Sequence, residues 1–296
     1  MPGHDRYVQP QHDADALTAT TLITDRAPVD GAWSRPATAK PAVVFVHGMR
    51  TSSAIWERQV DFVRDAGHDA VAVDLPAHGA RRNERFTMAR AFDVLDEAVA
   101  SFGTTPVALV GLSLGGYTSL GWAARHAASD ADARLAGVVA AGCTSDPKGK
   151  PVALYRDVAR IAVAGTTAIG ARARRAGQWW RASLTAGRTM PGGSDVTALT
   201  SSRATTTYRP GWDVVTDALT HLAGRSSIAD LRATRAPVWL VNGERDSMRL
   251  GESRHLVAAE RGALVVVPGA GHDVNTDAPD AFNRVLLRAL RDFARP

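Results

Sequence analysis

Apolar residues in this chain come in short unbroken runs, each followed by a stretch in which they return at helical spacing. Ala42-Val43-Val44-Phe45-Val46 is the first such run, as a strand buried on both faces requires. Beyond it, Trp56, Val60 and Val63 share one helical face. Ala70-Val71-Ala72-Val73 predicts the next strand, and Asp74-Leu75-Pro76-Ala77-His78-Gly79 the loop that leaves it. From about Thr87, residues Met88, Phe92, Leu95, Val99 and Phe102 form a helical stripe. Pro106 introduces a strand at Val107-Ala108-Leu109-Val110, with a helix starting just beyond Ser113, and Leu135 to Ala140 is a further buried strand. Ala236 to Val241 and Ala263 to Val267 are the last two. The closing helix buries Phe282, Val285, Leu286, Ala289, Leu290 and Phe293. Strands alternating with helices predict an α/β fold: a mostly parallel sheet with helices on both faces.

Two stretches depart from this alternation. Residues 1–16 are polar and are expected to be disordered. Residues 145–234 show Arg- and Ala-rich helical segments, the pair Trp179-Trp180, and Gly/Ser/Thr-rich sequence around Pro191 and Thr205. The expected organisation is a core of residues 17–144 and 235–296, interrupted by a helical insertion at 145–234. No repeat with the period of a solenoid or propeller is present.

Composition narrows the functional classes. The chain has 296 residues, 45% hydrophobic and 22% charged, in the range of a globular protein. Its net charge of +5 is an arginine excess, since lysine occurs only at Lys40, Lys148 and Lys150. The densest basic stretch, Arg156 to Arg188, holds one adjacent aromatic pair, Trp179-Trp180, where a single-strand binder interleaves aromatics along its length, and matches no nucleic-acid motif. It reads as a solvated basic face, with attraction of an acidic substrate or anionic surface as the alternative, and no nucleic-acid partner is expected. The single cysteine, Cys143, rules out an intrachain disulfide and a multi-cysteine zinc site. The polar N-terminus and the lack of a long apolar run predict no signal peptide and no membrane span, with a cytoplasmic location as the expectation.

The chemistry concentrates in loops after strands. Gly111-Leu112-Ser113-Leu114-Gly115 sits between a strand and a helix, the setting of a nucleophile elbow that presents a serine on a tight turn. Small residues are needed because the backbone passes close to itself. The Leu114 amide opens the helix, and a sharp turn in His47-Gly48-Met49-Arg50 would aim the Met49 amide at the same point, giving two donors for an oxyanion. His47 itself reads as a structural histidine, and Trp56 as core. A serine hydroxyl needs a base. Of the nine histidines, His272 stands in Pro268-Gly269-Ala270-Gly271-His272, a constrained loop between the last strand and the last helix. Asp246, in Asn242-Gly243-Glu244-Arg245-Asp246, is the leading acid to orient that histidine. Asp146, after an earlier strand, is the alternative, and the side chain of Asp273 is expected to point elsewhere. The order Ser113, Asp246, His272 is that of one serine-hydrolase fold among several.

These motifs together resemble the α/β-hydrolase superfamily from about residue 40 to the C-terminus. The resemblance rests on Val46-His47-Gly48, Asp74 to Gly79, Gly111 to Gly116, Gly243 to Asp246 and Gly271-His272. Gly-Leu-Ser-Leu-Gly-Gly looks like the elbow of bacterial esterases and enol-lactone hydrolases, and also occurs among thioesterases and peptidases. Serine at 113 departs from the epoxide hydrolases and haloalkane dehalogenases, which use aspartate there. The resemblance implies that the insertion caps the active site, where Trp179 and Trp180 are candidates to line an apolar pocket. It implies acyl transfer to water from a small-molecule substrate carrying an acyl group, an ester, lactone or thioester, with no metal, nucleotide or flavin cofactor. C–C bond or amide cleavage by the same three residues is the alternative reaction, and a non-catalytic ligand-binding protein on this fold the alternative class.

Overall fold

In this computed structural model, residues 20–25, 40–127, 134–148 and 210–294 are described. Seven strands form one sheet: β1 (Thr20–Asp25), β2 (Ala42–Val46), β3 (Ala70–Val73), β4 (Val107–Leu112), β5 (Leu135–Ala141), β6 (Val238–Gly243) and β7 (Arg261–Val267). Their spatial order is β1-β7-β6-β5-β4-β2-β3. Strands β2 to β7 pair in parallel, as the apolar runs predict. The edge strand β1 pairs antiparallel with β7, Thr20 opposite Val266. Its sequence, Thr-Thr-Leu-Ile-Thr-Asp, has no apolar run long enough to single it out.

Helices cover both faces: α1 (Glu57–Asp65), α2 (Met88–Ala100), α3 (Leu114–His126), α4 (Trp212–Ala223), α5 (Ser227–Ala233), α6 (Glu252–Ala258), α7 (Val274–Asp277) and α8 (Pro279–Phe293). Local signals set their starts. Thr87 caps α2 by accepting the Arg90 N–H on Oγ1 at 3.1 Å, and Pro279 occupies the first turn of α8, where its missing N–H does no harm. Alternation along the strands divides the core between the two faces. Val43, Phe45, Ala108 and Val110 pack with Trp56, Phe282 and Leu286, while Val44, Val46 and Leu109 pack with Leu95, Leu120 and Leu231. Trp56 is fully buried between Phe45 and Phe282 and belongs to this core. No helix among the described residues is long and apolar enough to cross a membrane.

Of the segment 145–234, the described residues are 145–148 and 210–234, which hold α4 and α5. Helix α5 lies in the layer over the sheet, with Ile228 and Leu231 buried in the same cluster as Leu120 of α3. Trp179, Trp180 and the arginines from 156 to 188 lie outside the described residues, as do residues 1–16.

A parallel sheet delivers the ends of its strands, and the loops that follow them, to one edge. At that edge the backbones touch through glycine. A Cβ on Gly111 would meet the Gly115 carbonyl oxygen at 2.3 Å, one on Gly115 the Val46 oxygen at 2.1 Å, and one on Gly243 the Gly271 oxygen at 2.0 Å. Backbone cannot retreat as a flexible side chain can. Gly115→Ala is therefore expected to lower unfolding free energy by about 2–4 kcal/mol in urea titrations. Gly224→Ala, at a site with no heavy atom within 4 Å, should change it by less than about 0.5 kcal/mol.

Candidate active site

Ser113 leaves the end of β4 with φ 53° and ψ −113°, a backbone region that a residue with a side chain occupies at a cost of about 1–3 kcal/mol. Two features hold it there. Its N–H donates to the Ala141 carbonyl at the end of β5 at 2.7 Å, and α3 begins at the next residue. The close approaches at Gly111 and Gly115 allow strand, serine and helix to fold back on one another. The first N–H groups of a helix have no partner in a preceding turn, so the Leu114 amide, one residue past the serine, starts α3 uncommitted. Gly48 lies against the serine: a Cβ there would sit 3.6 Å from Ser113 Cβ. Met49, half-buried, follows directly, and no turn or loop hydrogen bond among the described residues engages its N–H.

His272 and Asp246 meet at this edge. His272 Nδ1 lies 3.0 Å from Asp246 Oδ2. The Asp246 side chain is fully inaccessible, whereas 37% of the His272 side chain is exposed. The other Asp246 oxygen accepts the Met248 N–H at 2.8 Å. Burial opposes the charge on Asp246, but the hydrogen bonds from His272 and Met248 and the nearby Arg249 outweigh it and hold the carboxyl below its ordinary range. For His272 burial likewise opposes the charge, and the Asp246 hydrogen bond and charge, helped by Asp273 and Asp277, raise its pKa above 6.5. The imidazole rests on Gly142, where a Cβ would stand 3.1 Å from His272 Cε1. Gly142 follows Ala141, the residue that receives the Ser113 N–H, so serine and histidine converge on the end of β5.

The two loops bearing acid and histidine are tied to each other. Glu244 N–H donates to Val267 O and Arg245 N–H to Ala270 O, each at 2.9 Å. The Glu244 side chain accepts the Gly269 N–H at 2.9 Å, and Asp277 accepts the Gly271 N–H at 2.8 Å. Asp146 is placed differently. Its carboxylate accepts from Ser226 Oγ and the Ser227 N–H, both at 3.0 Å, and so fastens the start of α5. A serine–histidine contact elsewhere, Ser227 Oγ to His255 Nε2 at 2.9 Å, is buried at 2% and 1% exposure and joins α5 to α6, away from solvent.

The loop of His47 to Arg50 is held by the loop after β3. His47 Nε2 accepts the Leu75 N–H at 3.0 Å, and its Nδ1 faces Gly48 O at 2.8 Å, which requires the neutral ring with the proton on Nδ1. Desolvation and the adjacent His78 lower the His47 pKa to about 4, so it stays neutral. His78 repeats the pattern: Nδ1 faces Pro76 O at 2.8 Å and Nε2 accepts the Arg50 N–H at 3.3 Å, with burial lowering its pKa. Asp74 accepts the Ser53 N–H at 2.7 Å and the Ala80 N–H at 2.8 Å. The sequence marked Asp74 to Gly79 as a motif without assigning it a task. Its task is to fix the neighbouring loop. No sequence signal marked Glu244 or Asp277 as the residues that pin the histidine loop.

Comparison with known proteins agrees with this architecture. Residues 43–285 match the model of the Alpha/beta hydrolase family. Protein ABHD8 of Mus musculus is 37% identical over 68 residues, a match that spans 23% of this chain and only 16% of that protein. A thermophilic esterase from Thermogutta terrifontis, solved with malate bound, aligns with a TM-score of 0.60 at 21% identity over 94% of each chain. A bromoperoxidase from Bacillus anthracis aligns with a TM-score of 0.62 at 18% identity, covering 86% of this chain and 93% of its own. At such identities the structures share the fold. With a family match across most of its length and the fold to go with it, the chain belongs to the alpha/beta hydrolase family.

Proposed function

We propose that the protein is a serine hydrolase that cleaves a carboxylic ester, or a lactone or thioester, through an acyl-enzyme, with Ser113, His272 and Asp246 as its triad. The observation that carries this reading is the convergence at the end of β5. There the serine on its strained turn donates its N–H to Ala141, and the imidazole, hydrogen-bonded to a fully buried carboxylate, rests on Gly142. In the reaction, Ser113 Oγ attacks the acyl carbonyl while His272 Nε2 takes its proton. The Met49 and Leu114 amides donate to the resulting oxyanion. His272 returns the proton to the leaving oxygen or sulfur, which departs as alcohol or thiol, and the acyl group stays on Ser113. Water, deprotonated by His272, then releases the acid. Asp246 keeps the Nδ1–H tautomer in place and stabilises the imidazolium. A small-molecule acyl substrate is the partner this chemistry requires.

Ser113→Ala should lower kcat on an activated ester by on the order of 10⁴–10⁶-fold with the melting temperature nearly unchanged, and undiminished turnover would refute the assignment. Asp246→Asn should lower kcat by on the order of 10⁴-fold, whereas Asp146→Asn should lower the melting temperature through α5 and spare the chemical step. The reverse result would move the acid to position 146. Because only neutral His272 accepts a proton, kcat/KM should rise with pH along a single limb, its midpoint above 6.5 since the folded protein raises that pKa. In Asp246→Asn the raising partner is gone and burial remains, so the His272 ring titration followed by NMR should move downward. A rate flat from pH 5 to 8, or a titration that does not move, would contradict the role of the pair.

A further inference from the structure

Arg50 lies two residues beyond Gly48, the residue packed on Ser113. It holds a left-handed backbone, φ 62°, unusual for a long charged side chain, and its N–H is anchored on His78 Nε2. Arg50 is half-buried, and its guanidinium carbon lies over the Trp212 ring, 4.8 Å from the centroid, at the first residue of α4. A cation–π contact consumes no hydrogen-bond acceptor, so the five N–H donors of the guanidinium are still to be satisfied. Among the described residues no carboxylate or carbonyl accepts from them. Other half-buried arginines are committed: Arg81 and Arg90 to Glu84 and Glu97, Arg225 to Asp230, Arg249 to Glu252. Asp74 accepts two backbone amides and Asp217 pairs with Arg85. Asp213, the residue after Trp212, is exposed and forms no ion pair with Arg50 among the described residues. Arg261 also has no carboxylate partner among the described residues, but it opens β7 and so lies at the opposite edge of the sheet.

The structure assigns Arg50, braced on Trp212, as the binding residue for a carboxylate carried by the substrate, so that the preferred substrate is an anionic acyl compound such as a half-ester of a dicarboxylic acid or an ester of a hydroxy acid. A planar fork of donors fits a carboxylate with two parallel hydrogen bonds, and partial burial strengthens the pairing. The aromatic ring holds the fork without neutralising it. The backbone strain at Arg50 places this cation beside the proposed oxyanion donor Met49, on the loop that touches the serine. This inference rests on the proposed hydrolase reading, because it names the substrate class of that same site.

The test uses matched pairs on the full chain. One pair is the 4-nitrophenyl half-ester of glutaric acid and its methyl-capped neutral counterpart, with the carboxylate on the acyl side. The other is 3-acetoxypropanoate and its methyl ester, with the carboxylate on the alcohol side. In at least one pair the wild type should favour the anionic member in kcat/KM, and the pair showing this tells which side of the scissile bond faces Arg50. In Arg50→Gln the anionic-to-neutral ratio in that pair should fall at least tenfold, with partial recovery in Arg50→Lys, whatever change the two members share. A ratio that stays the same, or no anionic preference in either pair, overturns the proposal. Calorimetric titration of Ser113→Ala with glutarate separates failure of this inference from failure of the hydrolase reading. Binding abolished by adding Arg50→Gln supports the carboxylate site even if no ester turns over, whereas no binding, or binding indifferent to Arg50, refutes it even if esters do.

Discussion

The rest of the edge depends on one close backbone approach. Gly115 lies so near the end of β2 that a Cβ would meet the Val46 oxygen at 2.1 Å, and Gly111 is pressed as tightly on Gly115. This contact brings α3 against β2 and β4 together and leaves Ser113 no relaxed conformation, hence its φ of 53°. The same contact sets the loop after β2 beside the serine, with Gly48 in van der Waals reach. The position of Ser113 and the position of the loop facing it are therefore one constraint, expressed in backbone atoms that cannot repack around an added methyl group.

A second layer of hydrogen bonds converts that proximity into fixed geometry, and it does so with histidines in opposite electrostatic settings. His47 and His78 are buried, accept backbone N–H groups on Nε2, and are held neutral because burial penalises the charged ring. They serve as uncharged struts between the loops after β2 and β3. His272 is partly exposed and faces a carboxylate instead of an amide, which favours its charged form. One residue type thus provides rigid support at two places and a titratable group at a third, according to what each ring nitrogen meets.

Much of this was legible in the sequence because the fold writes the relevant positions in glycine and in unbroken apolar runs. Six parallel strands announced themselves as such runs, and Ser113, Asp246 and His272 each follow one, in glycine-bearing turns. Edge strand β1 did not, since a strand paired on one side needs no continuous apolar sequence. Position after a strand favoured Asp246 but left Asp146 open, because both follow strands. It takes three dimensions to see that Asp146 is occupied by Ser226 and Ser227, eighty residues away, while Asp246 reaches His272. Asp277 was silent, and Asp74 and Glu244 stood in marked motifs without a legible task, for a related reason: an acidic side chain that pins a backbone amide looks in sequence like any surface carboxylate.

The central claim is that a single serine, Ser113, is rendered nucleophilic by the architecture around it. Its most direct test is mass spectrometric peptide mapping of the folded protein after reaction with a fluorophosphonate. The account predicts one phosphonyl group per chain, on the peptide containing Ser113, and none after prior unfolding. An adduct on Ser227, whose hydroxyl lies 2.9 Å from the buried His255 ring, would contradict it. Equal labelling of folded and unfolded protein would contradict it too.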